Sequence, residues 1–130
     1  MDLKINDSDA RILDLVDEFL AETILYLRMM DIDHFNYWKN DFLNENHNYL
    51  RLISDRLQKI DGQISKLSDK FRSGFPEFIE SMHKFTRESF VLSLDAAGLR
   101  SFKTQHIPEI VKSLKSVYPD SHIAWQQMSK

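Results

Sequence analysis

Two carboxylate–histidine pairs, Glu80-x-x-His83 and Asp31-x-x-His34, are the residues of this chain whose types and spacing come nearest to metal chemistry. Helical positions three apart share a face, so each pair would present an oxygen and a nitrogen ligand together. A carboxylate-bridged di-metal bundle needs such a pair on each of two helices and a further Glu from each of two others. Glu22 is the added acid placed to approach Asp31 and His34. The pattern stops there. Asp31 falls at an expected turn, His83 adjoins the expected core residue Met82, and Asn and Thr stand where more carboxylates are needed.

Other reactive constellations are missing. The five histidines (His34, His47, His83, His106, His122) show no His-Glu-x-x-His spacing. Gly62, Gly74 and Gly98 stand singly, which offers no Gly-rich phosphate cradle, and the chain has no Cys. No catalytic residue, metal ligand or cofactor is therefore assigned. The expectation is a protein that is not an enzyme, with a metal-dependent helical bundle as the contrary case.

The segment from Asp31 to Tyr49 points to binding. It interleaves Asp31, Asp33, Asp41 and Glu45 with Phe35, Tyr37, Trp38 and Tyr49. On a helix, positions 37 and 38 face away from the side shared by 35 and 42, so some of Tyr37, Trp38 and Tyr49 should be exposed. Tyr and Trp among acids and amides have the composition of interface hot spots. These eight residues form the candidate partner-binding surface.

Residues 1–48 hold eleven Asp or Glu against four Lys or Arg, although the net charge of the chain is only −3. An acidic N-terminal third suits a basic protein partner and disfavours nucleic acid. Acids near Asp7 to Glu18 also complement the positive end of a helix dipole. Arg51, Lys59, Lys66 and Arg72 follow the outer side of a later helix, but Asp55 and Asp69 interrupt them, as on a solvated face.

Periodicity supplies the scaffold. Asp7 or Ser8 should cap a first helix in which Ile12, Leu15, Val16, Phe19, Leu20, Ile24, Leu27 and Met30 form a wide apolar face. After a turn near Asp31 to Asp33, a helix of poor propensity, rich in Asn, is expected to lead into a long heptad helix. Leu50, Ile53, Leu57, Ile60, Ile64, Leu67 and Phe71 alternate steps of three and four, with Leu43 in phase, Asn46 breaking one column and Gly62 on the outer face. This helix should end at Ser73-Gly74, with Gly74 in a left-handed conformation. A third helix is expected from Pro76 to Ala97, with Phe78, Met82, Phe85 and Leu92 inward and Gly98 closing it. A fourth opens at Pro108 and ends at Tyr118-Pro119. Asp120 should cap a last short helix with Ile123, Trp125 and Met128.

The fold class expected is all-α: residues 1–130 as a single-domain helical bundle of four to five helices, with one long heptad-patterned helix. Three Gly and three Pro suit such a fold better than a turn-rich β domain. The N-terminus lacks a signal-peptide pattern, and the most apolar stretch, Phe19 to Met30, is too short and too charged for a membrane span. A cytoplasmic protein without a membrane partner is expected. The functional expectation is a helical module that binds another protein, most concretely an immunity- or antitoxin-type inhibitor of a basic toxin such as a nuclease. The alternative is a structural or assembly protein that oligomerises through helix 43–71, where Arg56 of one copy would face Asp61 of another. A monomer is favoured over a homodimer, because a seam against the first and third helices explains the same heptads.

Overall fold

A computed structural model describes residues 5–88 and 95–129. All regular structure among the described residues is helical. In chain order it comprises α1 (Asp7–Met29), a 3-10 turn (Ile32–His34), α2 (Phe35–Trp38), α3 (Glu45–Ile64), α4 (Asp69–Gly74), α5 (Pro76–Glu88), α6 (Ala96–Ser101), a π turn (Phe102–His106), α7 (Ile107–Val117) and α8 (Ile123–Met128). No helix among the described residues is long and apolar enough to cross a membrane.

Helix α1 starts where the Asn6 side chain accepts a hydrogen bond from the Asp9 N–H at 2.7 Å, one position before the expected cap residues. Leu13, Val16, Leu20, Ile24 and Leu27 are buried along it. The width of its apolar face has a structural counterpart: α1 packs on α3 along one side and on α7 and α8 along another. The a and d residues Leu50, Ile53, Leu57, Ile60 and Ile64 of α3 are all buried in this core. Gly62 is exposed, with open space around it.

The heptad helix is shorter at both ends than its periodicity suggests. It begins at Asn44, whose side chain accepts from the Asn46 N–H at 3.0 Å. It stops at Ile64, ten residues before Gly74, because the chain there has other hydrogen-bond partners. The Arg72 guanidinium donates to the Ile64 and Leu67 carbonyls, both at 3.0 Å. Ser68 caps α4 through the Phe71 N–H at 3.2 Å. Leu67 and Phe71 remain buried although the helix breaks between them. No glycine among the described residues has positive φ, and Phe75 rather than Gly74 carries the non-helical stop after α4.

Pro76 occupies the first position of α5, and Phe78, Met82 and Phe85 face the core. Leu92 lies outside the described residues. Ala96 and Ala97 belong to α6, and Gly98 sits in its first turn, donating to the Asp95 cap at 2.7 Å. Pro108 does not open a separate helix either. Lacking an N–H, proline cannot donate to the carbonyl four residues back. The helix shifts register over Phe102–His106, where the Ile107 N–H reaches the Phe102 carbonyl, and continues into α7 without a turn. Tyr118 then ends α7.

The cap of α8 comes from elsewhere in the fold. His122 occupies the cap position and contributes no side-chain bond. The carboxylate of Asp17, in the middle of α1, accepts from the N–H groups of His122 (3.1 Å), Ile123 (3.0 Å) and Ala124 (3.0 Å), and from the Ser121 hydroxyl (3.0 Å). Asp120 plays no part in it. Asp17 is 2% exposed, so its charge is compensated by four donors at a helix N-terminus.

Candidate functional site

The segment between α1 and α3 is mostly not helical. Helix α2 lasts four residues, and a turn follows in which the Asp41 N–H donates to the Trp38 carbonyl and the Asn44 N–H to the Asp41 carbonyl. Asn residues hold its ends. The buried Asn46 side chain accepts from the Asp31 N–H at 2.8 Å and donates to Asn44 Oδ1 at 2.7 Å. Asn46 is therefore the residue that ties the start of the segment to α3, a role its place as a break in the heptad column does not suggest.

Trp38 is a correction to the expected surface. It is 2% exposed, its indole N–H donates to the Asp31 carbonyl at 2.6 Å, and its ring meets Phe35 and His47 edge-on at 5.0 and 5.2 Å. A large aromatic with a satisfied N–H at the centre of a loop anchors that loop. Tyr49 is half-buried and stacks on Tyr26 of α1 at 6.4 Å, and Phe35 is half-buried against the core.

The remaining candidates are exposed. Tyr37 is 88% exposed, and Asp31, Asp33, Asp41 and Glu45 all reach solvent. The structure adds two residues that periodicity places on inward faces: Phe42, 74% exposed, and Leu43, 95% exposed. Helical phase does not extend past Trp38, so the spacing of Phe35 and Phe42 carries no information about a shared face. The signal present in the sequence is the run Asn40-Asp41 followed by Asn44, turn and cap residues that bracket two apolar ones. Tyr37, Phe42 and Leu43, the three most exposed large apolar side chains among the described residues, fall within one seven-residue stretch, the tip, of a segment that carries four exposed carboxylates.

Asp31 and His34 pair at 2.9 Å, and this hydrogen bond raises the imidazole above its ordinary pKa, helped by the carboxylate charge. Asp33 lies 3.5 Å from an Arg100 guanidinium nitrogen. Asp41 and Glu45 have no ion-pair partner among the described residues.

The groups considered for metal chemistry have separate partners. His83 Nδ1 lies 2.9 Å from Asp61 of α3. Glu22 pairs with Arg56. No group of three or more His, Asp or Glu that could hold a metal comes together among the described residues. Two of the six acids of α1 are buried, and an exposed third, Asp14, also reaches across the fold. Besides Asp17, Asp9 is buried and accepts from the Ser68 N–H at 2.9 Å and its hydroxyl at 2.5 Å. Asp14 accepts from the Tyr118 hydroxyl at 2.8 Å.

Two concavities stand out. One of about 550 Å³ lies between α5 and the α6–α7 helix, over the stacked rings of Phe85 and Phe102, with Lys84, His106 and Glu109 among its lining residues. Another, of about 310 Å³, adjoins the exposed tip and is walled by Phe35, Trp38, Phe42 and His47. Neither a family model, nor a curated protein, nor a solved structure matches this chain.

Proposed function

We propose that this protein is a non-catalytic helical module that binds a basic protein partner, in the manner of an immunity or antitoxin inhibitor covering the basic site of a toxin such as a nuclease. The observation that carries this reading is the stretch of Tyr37, Phe42 and Leu43, which leaves three large apolar side chains in water on a segment that also exposes Asp33, Asp41 and Glu45. Exposed apolar groups rimmed by charge mark interaction surfaces. Carboxylates around such a tip steer a basic partner into register and speed its capture. In this reading the four longest helices, α1, α3, α5 and α7, form one bundle that holds the tip rigid, and the protein acts in the cytoplasm as a monomer.

Self-association through helix 43–71 is the alternative. It requires an apolar stripe that the same chain already covers, since Leu50, Ile53, Leu57, Ile60, Ile64, Leu67 and Phe71 are buried. The Arg56 and Asp61 charges proposed to join two copies instead meet Glu22 and His83 of their own chain.

The test is affinity capture on the immobilised chain, run in parallel with the double variant Tyr37→Ala/Leu43→Ser. Wild type should retain a basic protein, and the variant should bind it at least about tenfold more weakly, as loss of a hot spot does. Both side chains point into solvent, so folding should be unaffected by circular dichroism. Retention of no basic protein, or equal retention by both forms, overturns the proposal. Sedimentation showing a concentration-dependent dimer that survives the double variant would favour the assembly alternative.

A further inference from the structure

The concavity beside the tip differs in charge from the surface around it. Its lining includes Lys39, Arg51 and His47 but no Asp or Glu, although four carboxylates lie on the same segment. Lys39 and Arg51 are exposed at its mouth and have no ion-pair partner among the described residues, unlike Arg56, Lys59 and Arg100. Its floor is Leu50, 4% exposed.

The walls are held in place. The indole N–H of Trp38 is fixed to the Asp31 carbonyl at 2.6 Å. His47 Nε2 lies 3.3 Å from the Trp38 carbonyl. The Phe42 ring leans on His47 at 5.4 Å and closes the outer side. A preformed aromatic pocket of this kind receives an anchor side chain with little rearrangement. Its volume of about 310 Å³ lies at the small end of the roughly 300–1,000 Å³ range of ligand sites. That is room for one large side chain.

We infer that this pocket seats a bulky apolar side chain of the partner protein that has a carboxylate beside it, the apolar group against Phe35, Phe42 and His47, the lining rings that reach solvent, and the carboxylate at Lys39 and Arg51. The inference rests on the reading of this face as a protein-binding surface and adds what the partner must present there. A basic partner satisfies both conditions if one apolar anchor with an adjacent acid, or a C-terminal apolar residue, projects from its positive surface.

The probes are N-acetyl-L-phenylalanine and its uncharged amide, titrated into the intact chain and followed by NMR. The acid should shift the Trp38 indole N–H and the His47 ring signals and bind about fivefold more tightly than the amide, the size expected of an exposed charge contact. In Lys39→Gln/Arg51→Gln that preference should vanish while the amide still binds. Equal binding of acid and amide to wild type, shifts confined to other residues, or no shift at all overturns the inference. Neither Tyr37 nor Leu43 lines the pocket, so the two ideas fail separately. Partner loss in Tyr37→Ala/Leu43→Ser without an acid preference here removes the pocket alone. An acid preference with no partner loss removes the interface reading.

Discussion

Along α1, Asp9, Asp14 and Asp17 each hold a group 59 to 107 residues away in the chain, whereas in the segment after α1, Asp31, Asp33, Asp41 and Glu45 remain in solvent. The aromatics divide differently. Trp38 is buried as an anchor, while Tyr37 beside it and Phe42 stand in water. The contrast follows from what surrounds each backbone. Helix α1 is covered on two sides, so an acid on its inner faces persists only where donors converge on it. The 37–45 turn packs one side chain at a time, and its neighbours are left outside. Asp9, Asp14 and Asp17 therefore stabilise the fold, whereas Asp41 and Glu45 of the turn reach solvent with no ion-pair partner among the described residues.

Substitutions should separate these two groups by the size of their effect on folding. Asp17→Ala removes the acceptor of four hydrogen bonds and leaves the first turn of α8 without a cap. It should destabilise the protein by about 2–4 kcal/mol in urea unfolding, and a loss below about 1 kcal/mol would contradict the structural role assigned to that carboxylate. Asp9→Ala frees only the Ser68 N–H and hydroxyl. A loss of about 1–2 kcal/mol is expected, smaller than that of Asp17→Ala in the same assay.

The pH dependence of stability should have two identifiable limbs. The His83 hydrogen bond, opposed by partial burial and assisted by the Thr86 hydroxyl, holds the Asp61 carboxyl below its ordinary value. A carboxylate depressed in the folded state contributes stability that is present above its unfolded pKa and lost as pH falls through the folded one. Asp61→Asn should therefore flatten the acid limb of thermal stability below about pH 4. Tyr118 behaves in the opposite sense. Burial, with the hydrogen bond to Asp14, pushes its phenol up to about 12. Its contribution is complete below pH 10 and declines between 10 and 12, so Tyr118→Phe should remove that alkaline decline. Unchanged limbs in these variants would show that other groups govern them.

The smallest effect on folding belongs to the tip. Tyr37→Ala/Leu43→Ser should change stability by less than about 0.5 kcal/mol while it abolishes most partner capture. A large loss of stability would mean that these side chains pack in the free protein after all, and the distinction between inward and outward residues would fail at that point.

Where a run of residues buries one continuous face, the sequence was legible. Val16, Leu20, Ile24 and Leu27 of α1 with Met30 at its end, Phe78, Met82 and Phe85 of α5 and the seven heptad residues follow from spacing, because hydrophobic periodicity reflects burial directly. The wide face read on α1 was less exact: Ile12, Leu15 and Phe19 are half-buried, and Leu13, outside that reading, is fully buried. The same spacing misplaced the helix ends. Leu67 and Phe71 stay in phase across a break that Ser68 and Arg72 make possible, and Pro108 lies within a helix that changed register instead of starting there. Within the 31–49 segment the exposure of Tyr37 and of the four acids agrees with the reading of the sequence, but the orientation of its apolar residues does not. Phe42 and Leu43 were assigned inward faces on the premise of a helix that ends at Trp38, and Trp38 itself is covered.

The amino-acid sequence by itself determined that the chain is helical and which apolar side chains share a face, since both depend on local propensity and on spacing within about two turns. Only the tertiary structure decided what the polar groups do. Whether Asp17 is a surface charge or the cap of α8 depends on a backbone 105 residues away being brought to it. Whether Trp38 or Leu43 faces water depends on where Asn46 ties the loop to α3. Hydrogen-bond partners this remote leave no periodic trace in the chain.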